Sequence, residues 1–279
     1  MSAIMQTEPL SSQHPEPLVS SNPSKPILPL FYADPEPLAA ARHGAWRLLA
    51  GSADFASAAT AIPLVLSDFT AASHSYPILF TSGEAAPVAL VGLEQANLFV
   101  DGGKWDEGSY VPAYVRRYPF VLIEAADKSG FGLAIDAASP QVARDGEAGE
   151  PLFDGDKPAA VSLRALEFCR LFNADFVSTQ AFCTALAEQD LLVDRKADVT
   201  LPGGRKLGVA GFRVIDPERF AALPEDKLVA WHRNGWLTMI HCHLASLYRF
   251  ADLLVRQGRR EAVSSPTDAA PAPALSSHE

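Results

Sequence analysis

The sequence is short of the groups that mark several large classes of protein. Its three cysteines, Cys169, Cys183 and Cys242, are odd in number and widely spaced. That pattern excludes a disulfide framework and a CxxC metal site, and it reads as reduced, buried thiols in a reducing compartment. Basic residues are in deficit: 23 Lys and Arg against 33 Asp and Glu give a net charge of −10. Nucleic-acid binding needs a surplus of cations facing phosphate, and docking onto anionic lipid needs the same, so neither is expected. No apolar run approaches the roughly 18 residues that a bilayer-crossing helix requires. The start of the chain has no basic stretch followed by an apolar one, so no export signal is read there and a cytoplasmic location is expected. GxSxG and GxxxxGK[ST] are absent, and neither a metal nor a cofactor is expected.

What is present is an ordinary globular composition, with 48% hydrophobic and 20% charged residues. Residues 1–26 are rich in Pro, Ser, Gln and Glu, and such a stretch cannot offset the entropy of ordering itself. Residues 258–279 read the same way, so a single domain is expected over 27–257, between two disordered ends. Short β-type runs fill its first half: Tyr76–Thr81, Pro87–Val91, Asn97–Val100, Phe120–Glu124 and Phe131–Ile135. The last two read as a hairpin, as do Leu191–Val199 and Lys206–Ile215 around Pro202-Gly-Gly204. Ala160–Gln189 is expected to be helical, with Leu163, Leu166, Phe168, Leu171 and Phe172 at helical spacing. A helix from Pro224 to Trp231, ended by Asn234-Gly235, precedes another from Trp236 to Arg256. The expected class is α+β, with a mostly antiparallel sheet in the N-terminal half and long helices in the C-terminal half.

In the last of these helices Leu237, Ile240, Leu244, Leu247, Ala251 and Leu254 are spaced 3, 4, 3, 4, 3. The stripe suits the cover of a sheet face or another helix, and the same spacing serves a homodimer seam along Leu237–Leu254.

The densest chemistry lies in Tyr110-Val-Pro-Ala-Tyr-Val-Arg-Arg-Tyr-Pro-Phe120. Ser109 can cap a helix, Pro112 suits its first turn and Pro119 ends it. Tyr110, Tyr114 and Tyr118 then fall at i, i+4 and i+8 as one phenolic edge. Arg116 and Arg117 occupy the last turn, where the helix dipole favours cations. Arginine forks beside tyrosine hydroxyls can grip a carboxylate or phosphate. Equally, the arginines can pair with Asp101, Asp106 or Asp136 and clamp the helix to the sheet. The ligand-binding candidates are therefore Tyr110, Tyr114, Arg116, Arg117, Tyr118 and His43, the last in Ala41-Arg-His-Gly-Ala-Trp46.

The remaining histidines carry less. On a helix His241 and His243 point about 200° apart and cannot chelate one ion, so His241, beside the apolar stripe, reads as a hydrogen-bonded core residue. Asp216-Pro217-Glu218 reads as a helix start. No catalytic constellation is recognisable. A metal- or cofactor-dependent enzyme would require His43, His74 or His243 to be brought together by folding.

Several stretches together resemble the SapC family. These are Pro29-Leu-Phe-Tyr32 with Arg42-His43, Ala61-Ile-Pro-Leu64, His74-Ser-Tyr-Pro-Ile78 and the Tyr110–Phe120 segment. Gly211-Phe212 before Asp216, and Arg233-Asn-Gly-Trp-Leu237 leading to His243-Leu-Ala-Ser-Leu247, continue the likeness. The resemblance spans roughly Pro29–Leu254. It implies a bacterial protein of unestablished biochemical activity, distinct from the peptide-transport permease of the same name. The family is associated with surface-layer gene clusters and is encoded beside TonB-dependent receptors, flavin-dependent tryptophan-halogenase-like proteins and cupin-like proteins. That setting implies a soluble partner in a nutrient-uptake or peptide-modifying system. The residues themselves lead to the expectation of a binding or accessory protein that engages a protein partner or a small acidic ligand through the Tyr110–Phe120 segment.

Overall fold

The computed structural model describes residues 28–124, 130–200 and 205–264. Packing separates Met1–Leu30 from a body, Phe31–Glu279, and the fold is that of the body. Its main strands are β1 (Pro35–Pro37), β2 (Ala61–Pro63), β3 (Ile78–Thr81), β4 (Pro87–Leu90), β5 (Phe120–Glu124), β6 (Phe131–Asp136), β7 (Leu192–Thr200) and β8 (Lys206–Ile215). Its main helices are α1 (Phe69–Ala72), α2 (Ala113–Arg116), α3 (Ala160–Glu188), α4 (Glu225–Arg233), α5 (Trp236–Ser246) and α6 (Arg249–Ser264).

The class is α+β, and the sheets are antiparallel. The larger sheet runs β7-β8-β3-β4-β2 and the smaller β1-β6-β5. Both expected hairpins form: Phe120 pairs with Ile135, and Leu192 pairs with Ile215. Their turns, residues 125–129 and 201–204, lie outside the described residues. The second hairpin joins a sheet otherwise built from the first half of the chain, because Phe212 pairs with Thr81. Within it the register shifts between Arg195 and Ala197, and opposite that bulge Gly211 takes φ +80°, a left-handed conformation that glycine adopts without steric penalty. Phe212, next to it, is buried in the core. Asp216 then starts the next helix by accepting hydrogen bonds from the backbone N–H groups of Glu218 and Arg219, as its sequence context predicts.

One large core fills the space between the five-stranded sheet and the helices. Tyr76, Phe69, Phe80, Phe182, Ile62 and Ile78 are fully buried there. Each such side chain contributes about 1.5–3 kcal/mol by leaving water. A second cluster, with Trp46, Phe120, Ile135, Leu152 and Phe153, sits under the smaller sheet, and α3 spans both clusters through Cys169, Phe172 and Phe182.

Three helical expectations need correction. The long helix is present, but Leu163 and Leu171 are 54% and 62% exposed, and the buried face runs through Val161, Cys169, Phe172, Thr179, Phe182 and Leu186. The final helix is broken: a turn at Leu247 and Tyr248 divides it into α5 and α6. Of the stripe, Ile240 is buried and Leu237, Leu244 and Leu247 pack on the main core, whereas Ala251 in α6 is exposed; the buried leucine of α6 is Leu253, outside the stripe. Finally, His243 is the core histidine, whereas His241 is exposed. Nδ1 of His243 donates to the carbonyl of Ile78 and its Nε2 accepts from the N–H of Ile215, which ties α5 to two adjacent strands. α6 carries the chain through Gly258 to Ser264, into the segment whose composition reads as tail. Residues 1–27 and 265–279 lie outside the described residues.

Candidate functional site

The Tyr110–Phe120 segment crosses the body between the two cores. Its helix is one turn long, Ala113–Arg116, and the residue preceding it is Pro112, in an extended conformation. Ser109 does not cap that helix; its hydroxyl donates instead to Asp106 at 2.6 Å. Tyr110 therefore lies outside the helix, and the three tyrosines do not form one phenolic edge. Each goes to a different place.

Tyr110 reaches a buried carboxylate. Its hydroxyl donates to Oδ1 of Asp68 at 2.5 Å, and the same oxygen accepts the N–H of Ala113 at 3.1 Å. Oδ2 of Asp68 accepts the N–H of Val65 at 3.0 Å. Arg116 completes the cluster, donating to the Tyr110 hydroxyl at 2.9 Å and to the Val111 carbonyl at 3.0 Å. Burial, with the Asp68 carboxylate beside it, pushes the Tyr110 phenol up to about 12. This group clamps the segment to the loop ahead of α1. The clamp uses Asp68, which is distant in sequence and carries no local motif. Asp106, expected as an arginine partner in this segment, pairs instead with Arg256 at 2.8 Å.

Tyr118 makes a second anchor. Its hydroxyl donates to Oδ2 of Asp136 at 3.0 Å, and Oδ1 of Asp136 accepts the N–H of Asp34 at 2.7 Å. Its ring stacks on Phe55 with centroids 4.1 Å apart, and burial pushes its phenol up to about 12. Asp136 thus serves a tyrosine, and neither arginine of the segment pairs with it. Tyr114 is buried in the main core.

His43 stands elsewhere. It is fully buried, with Nε2 3.2 Å from Glu36 and its ring edge-on to Trp46 at 4.4 Å, and it shares no hydrogen bond or ring contact with the segment. His74 is exposed and His243 sits between β3 and β8, so folding places the three histidines in three separate environments. Among the described residues no group of three His, Cys, Asp or Glu side chains stands close enough to hold a metal ion.

Arg117 is left without a carboxylate. Its guanidinium carbon lies 4.1 Å from the ring centroid of Tyr114, 4.5 Å from that of Phe172 and 5.6 Å from that of Tyr32. Its Nε is buried and has no hydrogen-bond partner. Among the described residues no acidic side chain approaches it within salt-bridge distance. Buried polar groups are nearly always satisfied, so the Nε of Arg117, buried without a partner among aromatic rings, stands out within the segment. Sequence reading singled out Arg117 and missed Phe172 and Tyr32, which come from α3 and the start of the body.

The match of the SapC family model to residues 38–253 covers most of the chain. The chain belongs to the SapC family. Neither a curated protein nor a solved structure matches it. The segment that carries the resemblance is thus anchored twice in this SapC fold, by Asp68 and Asp136, and holds Arg117 between the two anchors.

Proposed function

We propose that this SapC-family protein is a binding protein that captures a small acidic ligand on Arg117. The observation that carries this reading is the unpaired guanidinium stacked against Tyr114 and Phe172. A carboxylate bound there would supply the missing counter-charge through a two-pronged hydrogen bond, and the flanking rings would favour a ligand with a planar or apolar body. Tyr110, Arg116 and Tyr118 hold the segment and do not contact the ligand. The three free thiols support action in the reducing cytoplasm, and an accessory role beside uptake systems fits the family. No helix among the described residues is long and apolar enough to cross a membrane.

The test is calorimetric titration of the full chain with benzoate and with succinate, on wild type, Arg117→Lys and Arg116→Ala. Saturable binding that survives Arg116→Ala and is lost in Arg117→Lys supports the reading. Binding of neither acid, or equal binding by the Arg117→Lys variant, defeats it.

A further inference from the structure

A cleft of about 470 Å³ opens at the other end of the segment, lined by His74, Ser75, Asp106, Ser109, Arg256 and Arg259 among others. It shares none of these with the seat of Arg117. One wall is a face of α6: Asp252, Val255, Arg256 and Arg259 fall at i, i+3, i+4 and i+7, so they line up along the helix. The opposite wall is His74 and Ser75, just after α1, with Asp106, Gly108 and Ser109, just before the Tyr110–Phe120 segment, and the two stretches are tied because Ser75 accepts the N–H of Tyr110 at 3.1 Å. The Tyr76 hydroxyl also donates to the Tyr110 carbonyl, a second tie between the two stretches.

Over the lining alone the charges balance, two aspartates against two arginines, so the pairing decides where positive charge is left. Arg256 donates to Oδ2 of Asp106 at 2.8 Å, and Ser109 donates to that same oxygen. These bonds hold the Asp106 carboxyl below its usual range, Ser109 acting most strongly and Arg256 next, so it stays ionised and neutralised. Asp252 is neutralised by Arg249, outside the lining, at 2.8 Å. Both carboxylates are therefore paired, and the positive charge of Arg259 remains over. Arg259 and the ring of His74 have no side-chain partner among the described residues, and the Ser75 hydroxyl proton has no acceptor there. The Arg256 guanidinium is fixed by stacking 4.2 Å from the Phe99 ring centroid.

We infer that this cleft is a second binding site, for a small phosphomonoester. Arg259, His74 and Ser75 supply donors from both walls, which suits the several oxygens of a tetrahedral oxyanion better than the two of a carboxylate. The volume falls within the range of small-molecule pockets and exceeds what a bare ion needs, so a phosphorylated metabolite fits. The unpaired acceptor oxygen of Asp106 then faces the ligand's hydroxyl groups.

Glycerol phosphate, inorganic phosphate and acetate are the probes, each titrated against the full chain at matched ionic strength by calorimetry and by thermal melting. Glycerol phosphate should bind saturably and raise the melting temperature, and acetate should do neither. Arg259→Ala and His74→Ala remove exposed, unpartnered side chains, so both variants should melt like wild type yet lose affinity about tenfold or more. Arg117→Met should keep wild-type affinity for glycerol phosphate, which separates this site from the acid seat. A melting shift that follows ionic strength alone, an equal response to acetate, or full affinity in Arg259→Ala would overturn the assignment. Binding of inorganic phosphate with none of glycerol phosphate would also overturn it, because the cleft would then hold only an ion.

Discussion

Tyr110 and Asp68 stand 42 residues apart in the chain and share a 2.5 Å hydrogen bond at the base of the signature segment. Asp68 is wholly buried and its two oxygens satisfy three donors: the Tyr110 hydroxyl and the N–H groups of Ala113 and Val65. The nearest cation, Arg116, is 3.9 Å away and half exposed. A buried carboxylate tolerates that distance because its donors solvate it.

Asp68→Ala should therefore be severe. It strands two backbone N–H groups and a phenol, each costing about 1–3 kcal/mol when left unpaired. A loss of roughly 3 kcal/mol or more is expected in urea unfolding. Tyr110→Phe removes one partner only and should cost about 1–2 kcal/mol. If Asp68→Ala unfolds at the wild-type urea midpoint, Asp68 does not hold the segment.

His243 sets an acid limit on stability. Burial drives its pKa from 6.5 down to about 4, with the hydrogen bond to Ile78 acting weakly the other way. The neutral ring is required, because Nε2 accepts the N–H of Ile215. The unfolded chain takes up the proton first as pH falls, so this contribution is whole above pH 6.5 and is lost progressively toward pH 4. The difference amounts to roughly 3 kcal/mol. Chemical denaturation between pH 7 and pH 4 should show it. His243→Asn should be less stable at pH 7 and lose much of that slope, and an unchanged slope would contradict the assignment.

The contrast between the two histidines of His241-Cys-His243 shows where sequence reading stops. Helical geometry correctly places them on opposite faces. Which one enters the core depends on the strands beneath, and the apolar stripe beside them is cut at Leu247 and Tyr248 by a turn containing neither Gly nor Pro. The spacing of apolar residues continues across that turn unaltered, so periodicity could not reveal it. Both hairpins were legible because alternation and turn residues are local. Asp68 and Asp136 were not, since a carboxylate's partner across the fold leaves no mark at its own position. Ser109 misled for the same reason: a capping residue stood at the right spacing, and a nearer acceptor, Asp106, took its hydroxyl.

The cysteines should sort by reactivity. Burial pushes the Cys169 thiol up to about 11, with Arg117 pulling slightly the other way, and the Cys183 thiol up to about 12. Cys242 is only partly buried. Since the thiolate is the reactive form, a disulfide reagent at pH 8 should modify Cys242 in the folded protein and all three cysteines in urea. Rapid modification of Cys169 in the native state would mean that the second core cluster opens readily.

Arg117 and Arg116 are adjacent, and their replacement should have opposite signatures. Arg116 makes two hydrogen bonds, but its side chain is 45% exposed and its partner Tyr110 keeps Asp68, so Arg116→Met should cost no more than about 1 kcal/mol. Arg117 brings a charge into an aromatic seat with its Nε unsatisfied. A methionine there would keep the contacts with Tyr114 and Phe172 and remove the desolvated charge, so Arg117→Met should leave stability unchanged or raise it by about 1 kcal/mol. The two variants should be compared by urea unfolding without added ligand. A loss of 3 kcal/mol or more in Arg117→Met would mean that the guanidinium serves the fold. Neutral or increased stability means that the folded protein keeps an arginine it does not need for folding, which is the mark of a residue retained for what it binds.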